Sequence, residues 1–174
     1  SGEHSPSVIH VATHGFYFPA AGEGKLYKEE QLYACSVEER SMLAEDPLQR
    51  SGLAMAGANH GWSGIKGIEN EQDGILTAKE VAGMNLANTG LVVLSACRTG
   101  LGEVKGAEGV EGLQRAFKIA GAKYILMSLW SVPDKETVEF MTVFYEHLSE
   151  GENIRNAFRL TSLASRKKYP DEPY

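Results

Sequence analysis

Leu91-Val-Val-Leu-Ser-Ala-Cys-Arg-Thr-Gly-Leu-Gly102 is the stretch on which the reading of this chain turns. Leu91 to Leu94 are uninterrupted apolar residues, the pattern of a strand covered on both faces in a parallel sheet. The run delivers Cys97 straight into a glycine-rich loop. Val8-Ile-His-Val-Ala-Thr-His-Gly15 is built in the same way, with Val8, Ile9, Val11 and Thr13 β-branched and His14 set before a glycine. Two strands ending in a histidine and a cysteine put a base beside a nucleophile at one edge of a sheet. A cysteine hydrolase requires that arrangement.

The remaining periodicity supplies the frame. Thr77 followed by Glu80 is a capping-box pattern, and Gly83 predicts the end of a short helix. Val110, Leu113, Ala116, Phe117 and Ala120 recur at helical spacing, with Gly121 as the stop. Tyr124 to Trp130 reads as a third strand. Pro133-Asp134 opens another helix with Asp134 as its N-cap, Gly151 ends it, and a last helix runs from Ile154 towards Arg166. Alternating strands and helices imply an α/β fold, a mainly parallel sheet covered by helices. In such sheets the site lies beyond the carboxyl ends of the strands, where His14, Cys97 and Ser131 fall. Residues 16–74 are rich in Gly, Ala, Ser and charge and show no sustained period. They read as an irregular insertion with a little helix around Val37–Leu43.

Composition narrows the function classes. With 174 residues, 43% hydrophobic and 23% charged, the chain predicts a single globular domain, residues 1–174. A net charge of −6, with Arg166-Lys167-Lys168 the one basic run, argues against nucleic-acid or anionic-membrane binding. No apolar run approaches the roughly 20 residues that cross a bilayer. Two cysteines make no disulfide framework, and a nucleophilic Cys97 must stay reduced, so the cytoplasm is the expected compartment.

Three other chemistries were weighed at the same residues. His10 and His14 resemble a zinc pair, but four residues of strand span about 13 Å. His10 then reads as a core or near-core histidine on the sheet face of His14. A phosphate loop needs Gly-Lys-Ser/Thr, and Lys105-Gly106-Ala107 has the wrong order. The dinucleotide fingerprint is missed by one residue, since Gly102 and Gly106 are too far apart. Cys35, in the insertion, reads as incidental. The residues imply no cofactor and no metal.

His10-Val-Ala-Thr-His-Gly-Phe16, Leu94-Ser-Ala-Cys-Arg-Thr-Gly-Leu-Gly102 and Ser128-Leu-Trp-Ser-Val-Pro-Asp134 together resemble the CHAT domain. That family stands with caspases, metacaspases, gingipains and separases among caspase-like cysteine peptidases. The likeness extends through Leu48–Asn59, Asp73–Ala78 and Gly109–Leu113. It implies a caspase-like sheet flanked by helices on both faces. Only seven residues precede Val8 and the chain stops at Tyr174, so some edge strands are expected to be missing from it.

The resemblance also implies the site. His14 would be general base and acid, Cys97 the nucleophile, and the N–H groups of Gly15 and Cys97 the oxyanion hole. Trp130 and Ser131 would line the substrate pocket, with Asp134 and Ser95 as further substrate contacts. Where this chain has Ser131, caspases carry an arginine and separases an aspartate. A serine offers no charge to a buried ion, which points to an uncharged P1 residue. The expected partners are a protein substrate and a tetratricopeptide-type regulatory module, in bacterial signalling or defence. The competing reading is a catalytically silent interaction module of the same fold.

Overall fold

The structure is a computed structural model, and it describes residues 5–17, 47–58, 74–95, 107–128 and 133–170. Within these, the strands are β1 (Val8–Val11), β2 (His14–Tyr17), β3 (Ser51–Ala54), β4 (Ile75–Thr77), β5 (Leu91–Leu94) and β6 (Tyr124–Met127). The helices are α1 (Ala78–Ala82), α2 (Ala107–Ile119), α3 (Asp134–Ser149) and α4 (Ile154–Lys168), and Pro47–Gln49 form a 3-10 turn. The chain divides into two compact units, Ser1–Trp130 and Ser131–Tyr174.

In the first unit, β1, β5 and β6 form a parallel sheet in the order β1-β5-β6. Alternation along these strands decides what each face carries. Ile9, Val92 and Ile125 share one rung, and Val11, Leu94 and Met127 the rung two residues on. All six join one apolar cluster with Ala78 and Val81 of α1, Leu53 of β3, Leu113, Ala116 and Phe117 of α2, and Ala120 just beyond its end. These positions repeat at helical spacing, as their sequence pattern predicts, and Leu113 and Ala116 are fully buried. Leu91 and Val93, on the other face of β5, are each only 1% exposed. That double-sided burial accounts for the unbroken apolar run. The fold is mixed α/β with a parallel sheet and helices.

Local signals hold at both helix ends. Thr77 accepts from the Glu80 N–H at 3.2 Å, and the Glu80 carboxylate accepts from the Thr77 N–H at 2.7 Å, completing the capping box of α1. After α2, Gly121 takes φ +106°, its N–H donates to Lys118 O, and Ala122 N–H donates to Phe117 O. These two bonds are a Schellman closure, and the left-handed angle explains the glycine.

The segment without a sequence period contains structure that sequence reading missed. β2, β3 and β4 form a second, antiparallel sheet in the order β2-β3-β4. β3 lies inside the stretch read as irregular, and β2 runs into that stretch by two residues, Phe16 and Tyr17. Ser51-Gly-Leu-Ala54 carries one large apolar residue, so it has no period to detect, yet Ser51, Gly52 and Leu53 are all buried. Gly52 sits opposite Phe16 on one side and Thr77 on the other. A Cβ there would lie 2.5 Å from the Phe16 ring and 2.6 Å from the Leu76 carbonyl. Val37–Leu43 fall outside the described residues.

The second unit contains α3 and α4. Asp134 is the first helical residue of α3 and not its cap: Pro133 occupies the N-cap, with φ −58° and ψ 144° and no side-chain cap bond. Proline's fixed φ suits that boundary, and Asp134 instead places its negative charge in the first turn, where the helix dipole favours it. Asn153 caps α4 by accepting from Asn156 N–H at 3.0 Å. The helices meet through Phe140 and Phe158, edge to face at 5.9 Å, and through Glu139, which accepts from Lys168 and from the Tyr169 hydroxyl. Those two bonds hold the Glu139 carboxyl below its ordinary range. No described helix is long and apolar enough to cross a membrane.

Gly52→Ala should cost about 1–3 kcal/mol, because the carbonyl of Leu76 cannot yield as a side-chain tip can. Urea denaturation checks this, and wild-type stability would contradict the close packing of β2, β3 and β4.

Candidate active site

The site is built where β1 and β5 end. They pair in parallel with Val11 opposite Leu94, so their carboxyl ends lie side by side. His14 follows Val11 by three residues and Cys97 follows Leu94 by three. Neighbouring strands are about 4.8 Å apart, so the two segments leave the sheet from adjacent points.

His14 does not continue β1. The strand stops at Val11, and His14 opens β2, opposite Ala54 of β3. Only Ala12 and Thr13 separate β1 of the first sheet from β2 of the second. The Thr13 hydroxyl donates to the Ala54 carbonyl, which ties this junction to β3. His14 is exposed and Gly15 half-buried. Cys97, Trp130 and Ser131 lie outside the described residues, as do Cys35 and Asp73. The expected approach of His14 to Cys97 therefore lies outside them too.

His10 departs from its sequence reading. It is exposed, not a core residue, and because β1 ends before His14 the two histidines stand on strands of different sheets. His10 pairs with Val93 across the ladder, and its Nε2 lies 2.9 Å from Ser95 Oγ. The backbone N–H of Ser95 also donates to Val11 O at 2.9 Å. Ser95 is thus held by β1 through both its backbone and its side chain. The contact follows from the register, since His10 and Val93 share a rung and Ser95 is two residues further along the chain, and no signal in the sequence supplies that register.

Arg50 was also missed. It is 8% exposed, and its Nε and Nη1 have no hydrogen-bond partner among the described residues. Its neighbour Ser51, 1% exposed, has a hydroxyl without a partner among them as well.

Comparison with known families places this geometry. The CHAT domain matches residues 1–174, the whole chain. The chain belongs to the CHAT domain family. CHAT domains are caspase-like, and the parallel sheet with helices described above is consistent with that fold. Among curated proteins, this CHAT domain is similar to tetratricopeptide repeat protein 28 of Mus musculus, 39% identical over 77 residues. The human protein of that name is 40% identical over 80 residues. The matched segments cover 44% and 46% of this chain, but 3% of each relative. No solved structure matches the chain.

Thr13→Val should lower stability by about 1 kcal/mol through loss of the hydroxyl bond to Ala54. A shift of the urea midpoint measures it, and an unchanged midpoint would mean that the junction is held by other contacts.

Proposed function

We propose that this CHAT domain is a cysteine endopeptidase acting through a His14–Cys97 dyad. The observation that carries the reading is the parallel pairing of β1 with β5, whose ends precede the two dyad residues by equal lengths of chain. The family adds support, because caspase-like folds are peptidase-related.

In this mechanism the Cys97 sulfur, as thiolate, attacks the scissile carbonyl carbon. The N–H groups of Gly15 and Cys97 hold the tetrahedral oxyanion, usually the largest catalytic contribution. His14, protonated, gives its proton to the departing amine, leaving an acyl-enzyme. Water then attacks the thioester while His14 takes up its proton, and the C–S bond breaks to release the acid product and restore the thiolate beside protonated His14. Cysteine is nucleophilic enough that this needs no acidic third member. Trp130 and Ser131 line the pocket for the P1 side chain, and Asp134 stands near in sequence as the acidic group at that end. With serine following the tryptophan, the pocket takes an uncharged P1 residue.

The domain works inside a longer protein. The relatives' name, tetratricopeptide repeat protein, supports a repeat module as the regulatory partner that controls access to a protein substrate.

Labelling by a peptide-based electrophile tests the dyad. Cys97→Ala should abolish labelling, and His14→Ala should slow it by about 100-fold or more, the range of general acid–base catalysis. Labelling that survives Cys97→Ala unchanged would leave the silent-module reading in its place. Digestion of a peptide library should show cleavage after uncharged residues, and a strict preference for Asp or Arg at P1 would overturn the Ser131 argument.

A further inference from the structure

We propose that His10 and Ser95 form a positioning brace that fixes β5, the strand leading to the nucleophile, against β1, the strand leading to the base. The proposal rests on the His14–Cys97 dyad and deepens it. Neither residue touches the reacting atoms; both act through the backbone that carries them.

The geometry is that of a diagonal tie. His10 stands opposite Val93, which is buried, but its Nε2 reaches two residues further along β5 to Ser95 Oγ, at 2.9 Å. The ladder's hydrogen bonds run mainly across the strands and resist their separation. A side-chain bond between non-opposite residues resists sliding of one strand along the other. Sliding is the motion that matters here, because Ser95 is two residues before Cys97 and Val11 is three before His14. Any shear between β1 and β5 changes the separation of nucleophile and base directly.

The brace also lies where the ladder runs out. The Ser95 N–H bond to Val11 O is the last backbone bond between these strands among the described residues, and the His10 bond holds the same residue from the opposite strand. A single exposed hydrogen bond adds little to folding. Its value is in fixing geometry, where a displacement of about 1 Å can cost roughly 100-fold in rate.

The test uses the full-length protein and a peptide acyloxymethyl ketone that alkylates the nucleophilic sulfur, with kinact and KI resolved. His10→Leu should lower kinact by about tenfold while leaving KI unchanged, and Ser95→Ala should lower kinact by the same factor, as expected for misplaced reacting groups. The double variant should lose no more than either single one, since one bond is removed in each case. His10→Gln, whose side-chain amide reaches the same hydroxyl, should recover most of the rate. Ser95→Ala keeps the backbone bond and carries the test alone if His10→Leu does not fold. Losses that multiply in the double variant, fall on KI, or appear in the melting temperature with kinact intact would overturn the brace and leave the dyad standing. Wild-type labelling indifferent to Cys97→Ala would overturn the dyad, and the brace with it.

Discussion

The parallel pairing of β1 with β5 is the constraint on which the rest of the molecule depends. Val11 opposite Leu94 fixes where two chain segments leave the sheet, and the two residues of the proposed dyad each follow that rung by three positions in the chain. The pairing is secured by burial. Val92 and Leu94 face the cluster built from α1, α2 and β3, while Leu91 and Val93 are covered on the other side. A register slip of one residue would turn all four to the wrong faces. The proposed dyad would therefore take its register from packing in the core.

Much of this was legible in the chain. Strands whose faces are both buried advertise themselves as apolar runs, and Leu91–Leu94 could hardly be anything else. The capping box at Thr77 and the stop at Gly121 depend only on neighbours in sequence, so they too were readable. The family could be recognised because its motifs lie at strand ends, where residue identity is dictated by chemistry.

What escaped was governed by tertiary contact. β3 has one large apolar side chain, and its burial comes from Phe16, α2 and the core cluster instead of any pattern of its own. Without β3, the strand character of His14-Gly-Phe-Tyr17 was invisible, and β1 was read through to His14. The same error put His10 on the face of His14 and hid its bond to Ser95. Asp134 was misplaced by a single position for a different reason, since proline and aspartate both suit a helix start and only backbone angles separate cap from first turn.

The short connection between the sheets has a mechanical meaning. Ala12 and Thr13 span at most about 7 Å of extended chain, which leaves no slack to absorb relative movement. His14 is therefore a member of the second sheet tethered by two residues to the first. Its place is set by its ladder with β3 and bounded by its distance from the end of β1. A displacement of either sheet is felt at this one residue, so the proposed base would answer to β3 as much as to the strand that leads to it.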